Sequence, residues 1–216
     1  MGRTSLLLPW STGGLAELGV RAAHALVLPV PVEPSGSPLA ERDIAAITYA
    51  ANPVKKGLGR VLAAWRQVHR PGEELVVAGV DPRDLTGAGF VPADDGVRVT
   101  GLLAPDAYRA LLRRARVFVT APRREDYGMA QLEALADGCL LVTSSAPGPY
   151  AALPIARELD PRLVGDDLGA ALRAALDEPA ADYCARALRA LGPFRRAAID
   201  RVVAQELLPR LLAHGR

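Results

Sequence analysis

The stretch VFVTAPRREDYGMAQLEALADGCLLVT, residues 117–143, passes from a strand to a helix and back to a strand. Short runs rich in β-branched and apolar residues at 117–120 and 140–143 predict the two strands. Between them, Gly128 precedes a run of helix-forming residues, and Gly138 follows that run. A strand, a helix and a second strand in this order are typical of a parallel sheet covered by helices.

Further strands extend this pattern in both directions. We predict them at 44–50, 75–78 and 97–100, with a weaker one at 162–164. The sheet is therefore predicted to contain five or six parallel strands. The fold class is therefore predicted as α/β, a Rossmann-like parallel sheet with helices on both faces.

Helices are predicted between and after these strands. Apolar residues recur at three- and four-residue steps in 58–68 and 107–115, which predicts amphipathic helices, and Pro105 is suited to the first turn of the second. Additional helices are predicted at 167–176, 180–191 and 194–213. Pro179, Pro193 and Pro209 punctuate these stretches.

The composition excludes several classes of protein. Half of the 216 residues are hydrophobic, and the formal net charge is only +2, with both signs mixed along the chain. We therefore expect a folded domain without a nucleic-acid partner. Cys139 and Cys184 stand far apart, which favours neither a zinc site nor a disulfide framework and suits a cytoplasmic protein. No apolar run approaches the length of a transmembrane helix, although peripheral attachment to a membrane stays open.

The loop after the first strand contains Asn52, Lys55, Lys56 and Gly57 and leads into a helix. Two cations beside a helix N-terminus would suit a diphosphate, because free N–H groups and ammonium groups both favour an anion. A lysine pair before glycine is also common in solvated turns. The residues of this loop alone leave both interpretations open.

The loop after the strand at 117–120 places Glu125 before Gly128, and Glu133 lies one to two turns inside the following helix. Parallel sheets bind ligands at the carboxyl ends of their strands, so both carboxylates are candidates for a binding crevice. Carboxylates accept hydrogen bonds from sugar hydroxyls, whereas exposed N–H groups suit phosphates. The alternative is that Glu125 caps the helix and Glu133 is a solvated helix residue.

Residues 44–145 resemble the donor domain of glycosyltransferase family 4 and its retaining GT-B relatives. The run from Glu125 to Glu133 has the family's spacing of two glutamates around an aromatic-glycine pair, here Tyr127 and Gly128. Three other landmarks occur in the family's order. They are Lys56-Gly57, the strand and glycine at 75–79, and the segment from Val97 to Leu102 before Pro105.

The resemblance implies a nucleoside-diphosphate sugar as donor, transfer with retention of configuration in carbohydrate biosynthesis, and no metal or other cofactor. It implies that Lys56 binds the diphosphate, that Glu125 lies at the transferred sugar as the catalytic carboxylate, and that Glu133 holds the ribose hydroxyls. It also implies main-chain contacts to the donor from several positions. These are Gly57, Leu102, Tyr127, Gly128, Met129 and Ala130. Where the family has Gly-Arg, this chain has Ala51-Asn52, so one expected cation is missing. Lys55 is the candidate to replace it, and Asn52 is a further candidate donor-binding residue.

By the same resemblance, residues 41–193 form the nucleotide-sugar-binding domain, the C-terminal half of a GT-B fold. Residues 1–40 are expected to be a remnant of the acceptor domain with a Pro-rich linker, and 194–216 a crossover helix. An apolar stripe on that helix would face an acceptor-domain partner chain, unless it is a plain core helix. Two alternatives to a transferase stay open: a non-catalytic nucleotide-sugar-binding module and, less favoured by the glutamate spacing, a GT-B sugar-nucleotide epimerase.

Overall fold

A five-stranded parallel sheet forms the centre of the computed structural model, which describes residues 6–19, 24–37, 39, 41–87 and 96–213. Its strands lie in the order β3-β2-β1-β4-β5. Their bounds are Ile44–Tyr49 for β1, Leu75–Ala78 for β2, Val97–Gly101 for β3, Ala115–Thr120 for β4 and Leu140–Thr143 for β5. The order reverses between β1 and β4, which is where open sheets of this kind form their ligand crevice.

Helices cover both faces of the sheet, as the sequence predicts. Their bounds are Thr12–Leu18 (α1), Leu58–Val68 (α2), Pro82–Gly87 (α3), Pro105–Arg114 (α4), Met129–Ala136 (α5), Ala152–Leu159 (α6), Leu168–Asp177 (α7), Tyr183–Ala190 (α8), Arg196–Val202 (α9) and Leu208–Ala213 (α10). Helices α2 and α7 pack together on one side, and α5 contacts α4, α6 and α8 on the other. Strands β1, β2, β4 and β5 are buried almost throughout, so their continuous apolar runs reflect burial on both faces.

The strand predicted at 162–164 is wrong. Pro161–Leu163 is a short 3-10 helix, because the Asp160 carboxylate accepts the Arg162 N–H and Pro161 occupies the first turn. Only Val164 makes an isolated parallel bridge, to Thr143 at the end of β5. A local cap therefore prevails over the β-prone composition of this segment.

The helix predicted at 194–213 is not one regular α-helix. The chain forms a π-helical turn at Val203–Leu207 and continues as α10 through Pro209. The wider turn, in which Leu208 donates to the carbonyl of Val203, accommodates a residue that has no N–H. On these helices Ile199 is buried, whereas the leucines at 208, 211 and 212 are exposed. Residues 214–216 lie outside the described part of the chain.

The segment from 24 to 37 is extended and packs along the domain. The Val32 N–H donates to the Phe194 carbonyl, and the Ser35 N–H and hydroxyl donate to the two carboxylate oxygens of Asp137 at 2.7 and 3.0 Å. We call residues 30–37 the strap. The linker predicted here is thus fixed to the sheet domain by hydrogen bonds; Pro38, Ala40, Val20 and residues 1–5 lie outside the described residues.

Candidate donor-binding site

The loops after β1 and β4 touch at the carboxyl end of the sheet. Gly57, the N-cap of α2, has φ +68°, and a Cβ there would lie 1.8 Å from the Ala121 carbonyl oxygen. The Arg123 N–H also donates to the Lys55 carbonyl at 3.1 Å. Only glycine permits this approach, which brings the lysine loop against the glutamate loop.

Lys56, Glu125 and Gln131 form a cluster at this contact. Lys56 Nζ lies 2.8 Å from Glu125 Oε2, and Gln131 Nε2 donates to the same oxygen at 3.0 Å. Glu125 is 6% exposed, and its N–H donates to the Pro147 carbonyl. We call this end of the crevice the sugar end. Its carboxylate is almost buried and is balanced by one cation.

Helix α5 begins beside this cluster. Gly128 is its N-cap with φ +90°, and no side chain caps the helix. A Cβ at Gly128 would lie 2.6 Å from the Tyr150 ring, so the packing as well as the backbone requires glycine. The first N–H groups of α5 are therefore available to an anion at this end of the crevice.

A cavity of about 370 Å³ continues from the start of α5, and we call it the nucleoside end. The rings of Tyr49 and Tyr108 lie 5.2 Å apart beside it, and Leu102 is 77% exposed at its margin. Burial raises the pKa of Tyr108 well above its usual value. The cavity is also lined by Gly79, Leu103, Pro105, Arg109, Met129, Ala130 and Glu133.

Glu133 lies in the wall of this cavity. Burial raises the pKa of its carboxyl, Arg109 opposes that effect and Asp137 adds to it. Arg109 Nη1 is 3.5 Å from Glu133 Oε1, whereas its Nε is 2.6 Å from Asp137 Oδ2. Because Arg109 binds Asp137 more closely, the Glu133 carboxylate keeps capacity to accept hydrogen bonds from a ligand.

The residues predicted from sequence fall into three groups. Lys56, Gly57, Glu125 and Gly128 meet at the sugar end, and Leu102, Met129, Ala130 and Glu133 line the nucleoside end. The others have different surroundings. Asn52 Oδ1 accepts the Lys55 N–H, so Asn52 shapes the turn, and Lys55 is exposed.

Tyr127 is part of the same loop, but its side chain faces the strap. Its hydroxyl accepts the Val30 N–H at 3.0 Å, and its ring meets Trp10 edge to face at 5.7 Å. The contact expected from Tyr127 is a main-chain contact, and its main chain does lie directly before Gly128, the N-cap of α5.

Sequence reasoning missed Gln131, Arg109, Asp137, Tyr49 and Tyr108. A polar Gln131 in the otherwise apolar run at the start of a buried helix was one available signal. The contact of Arg109 with Asp137 joins α4 to the end of α5 and had no local signature.

Neither a metal cluster nor a membrane-spanning helix is found in the described ranges. No three His, Cys, Asp or Glu side chains there are grouped to hold a metal ion. In the same residues, every helix is too short or too polar to cross a bilayer.

Solved structures with this fold include several glycosyltransferases. The GtfA/B complex matches with a TM-score of 0.75 at 13% identity over 95% of this chain and 45% of that one. Anabaena HepE in complex with UDP and glucose matches at 0.69 and 16% identity, over 94% and 62%. A trehalose-6-phosphate synthase studied for glycosyl transfer with retention matches at 0.62 and 15% identity, over 84% and 51%. The chain thus spans about half the length of these proteins, and no curated protein sequence matches it.

Fold and crevice together define the class: the chain has the α/β architecture of one half of a GT-B glycosyltransferase. Residues 42–178 match the family described as glycosyl transferases group 1. The chain belongs to that family.

Proposed function

We propose that this chain is the donor-binding part of a retaining glycosyltransferase, which binds a nucleoside-diphosphate sugar and transfers the sugar to an acceptor hydroxyl. The observation that carries the proposal is the cluster of Lys56, Glu125 and Gln131 at the uncapped start of α5, beside a cavity that contains Glu133. One crevice thus offers a cation, free N–H groups and two carboxylates.

The diphosphate would lie between Lys56 and the first N–H groups of α5. Negative charge grows on the diphosphate as the bond to the sugar breaks, and fixed donors at that position lower the barrier. Glu125 would face the transferred sugar, where its carboxylate accepts a hydroxyl hydrogen bond and balances positive charge on the ring. This division of roles needs no metal ion.

The nucleoside would occupy the cavity. Its ribose hydroxyls would donate to Glu133, and its base would lie near Leu102 and the ring of Tyr49. The relative that holds UDP and glucose supports a nucleoside-diphosphate sugar as ligand, and the trehalose-6-phosphate synthase study supports retention. Cys139 and Cys184 are unpaired, which suits action in the cytoplasm.

The acceptor would be bound by a domain other than the one described. We propose residues 41–193 as the donor domain, the segment before it as the connection to an acceptor domain, and 194–216 as the crossover helix. The exposed leucines of α10 are candidates for the surface that meets an acceptor-domain partner chain.

A non-catalytic nucleotide-sugar-binding module is the second candidate. It is favoured by Asn52, whose side chain is used in the turn at the position where the family carries an arginine. Such a module would bind the donor through the same residues without turnover.

The test is calorimetry with UDP, GDP and ADP and their glucose conjugates, on wild-type protein and on Lys56→Ala and Glu133→Ala. We expect binding of one nucleotide series and weaker binding by both variants. Unchanged affinity in both variants would overturn the assignment of this crevice. Proton NMR of products formed with added acceptors then distinguishes retained transfer from binding alone, and a new sugar epimer would indicate an epimerase.

A further inference from the structure

We propose that Gln131 is a positioning residue that, together with Lys56, holds one oxygen of Glu125 and leaves the other for the donor sugar. This inference rests on the proposed function, because it assigns Glu125 to the sugar. Lys56 and Gln131 both donate to Oε2 of Glu125, at 2.8 and 3.0 Å. Among the described residues, none donates a hydrogen bond to Oε1.

Gln131 is an unfavourable residue at its position unless the amide has a use. Gln131 is 2% exposed on α5, and its Oε1 lacks a hydrogen bond of good geometry among the described residues, although the Tyr150 hydroxyl lies close to the amide. Burying an amide carbonyl unpaired is destabilising, whereas an apolar side chain such as that of neighbouring Leu132 would avoid the loss. Among the described residues, Gln131 Nε2 donates to Glu125, and the Gln131 amide also interacts with the buried Tyr150 hydroxyl.

Lys56 alone cannot hold the carboxylate in the presence of a donor. Its side chain is 28% exposed and carries a flexible ammonium group, which a diphosphate also attracts. Gln131 is attached to a buried face of α5 and has a planar amide with fixed N–H directions. It can therefore keep Glu125 in place when Lys56 moves toward the phosphates.

A carboxylate fixed through Oε2 presents Oε1 in one direction. We expect this to select a sugar hydroxyl at one position and to keep the charge of Glu125 near the ring. In Gln131→Leu the carboxylate can rotate about its side-chain bonds. The sugar part of the donor then loses affinity, while the nucleoside diphosphate part does not.

The experiment measures affinity for UDP-glucose and for UDP by calorimetry, with the GDP and ADP pairs in parallel, and compares their ratio between proteins. For the base that the wild type binds, Gln131→Leu is expected to lower the ratio of sugar-nucleotide to nucleotide affinity by about 10-fold, with nucleotide affinity unchanged and Tm not lowered. Gln67→Leu is the matched control, because it makes the same chemical change on the exposed face of α2. If Gln131→Leu does not fold, Gln131→Met is measured in the same way.

The outcomes separate the two proposals. Wild-type protein that binds none of the nucleotides overturns the proposed function, and this inference with it. Wild-type binding with the same ratio in Gln131→Leu overturns only the role of Gln131. Equal losses for UDP and UDP-glucose together with a lower Tm would show a merely structural role and would also overturn it.

Discussion

The two ends of the crevice use their carboxylates differently. At the sugar end, Glu125 is nearly buried and in direct contact with Lys56 at 2.8 Å. At the nucleoside end, Glu133 borders an open cavity, and its nearest cation, Arg109, is 3.5 Å away and bound more closely to Asp137. A fixed charge is suited to a transition state, and an open acceptor is suited to ground-state binding. Substitutions of these two carboxylates should therefore affect different quantities, kcat for Glu125 and nucleotide affinity for Glu133.

Glu125→Gln is expected to have the largest effect. Removing the charge beside the reacting sugar should lower kcat by about 10²–10³-fold, the scale seen when one group that stabilises transition-state charge is removed. The amide has nearly the same shape, so the thermal unfolding curve should match that of the wild type. Transfer is measured with a radiolabelled donor once an acceptor is known. Wild-type kcat in this variant would contradict the role given to Glu125.

Lys56→Ala tests whether the cation at the sugar end serves the diphosphate. Loss of a charge-assisted hydrogen bond costs about 1.5–3 kcal/mol, so nucleoside diphosphate affinity should fall by about 10- to 100-fold. Lys55→Ala is the matched comparison, because Lys55 is adjacent and exposed. Calorimetry at several salt concentrations measures both. A larger loss in Lys55→Ala would assign the diphosphate to the outer lysine.

Glu133→Ala should have a smaller effect, on binding only. A hydrogen bond from a ribose hydroxyl to a carboxylate in this open cavity contributes about 1.5 kcal/mol, the low end for a charged partner, which predicts a loss of about 10-fold in nucleotide affinity with kcat unchanged. Comparison with the 2′-deoxynucleotide is the decisive control, since the variant should no longer distinguish it from the ribonucleotide. Continued discrimination would place the ribose elsewhere.

Glu133→Gln gives the smallest expected effect, on stability. Burial raises the pKa of Glu133 in the folded protein, so its neutral form favours folding, and that contribution is lost as pH rises from about 4 through the folded pKa. The glutamine stays neutral. The unfolding free energy of the variant should therefore exceed that of the wild type by an amount that grows over this pH range. The difference should stay below about 1 kcal/mol, because Arg109 offsets part of the cost of burying the Glu133 charge. Urea unfolding as a function of pH measures it, and an advantage that shrinks with rising pH would contradict the assignment.

Much of the fold follows from local sequence. The runs at 75–78 and 140–143 are buried strands with the predicted bounds, because continuous apolar β-prone residues between turn residues have few alternatives in a parallel sheet. Prediction fails where a local hydrogen bond decides the structure. The Asp160 cap turns 161–163 into a 3-10 helix, and a π turn at 203–207 interrupts the helix predicted at 194–213.

The site is predictable only in part. Lys56 and Glu125 became candidates because each follows a strand, neighbouring parallel strands end at the same edge, and both match the family's motifs. The partners of these residues come from other elements. Gln131 is six residues from Glu125 across a helix start, and Arg109 reaches Asp137 and the Glu33 carbonyl from another helix. Such contacts depend on how the helices pack, which composition and spacing do not specify.

The hydrogen bond between Tyr127 and Val30 has a mechanical consequence. Tyr127 stands two residues after Glu125 and one before the glycine that opens α5, and its hydroxyl holds the first residue of the strap at 3.0 Å. The strap and the glutamate loop therefore cannot shift independently without breaking this bond. Tension on the chain ahead of Val30 would reach the backbone that carries Glu125 through this phenol ring and through the ion pair between Glu17 and Arg124.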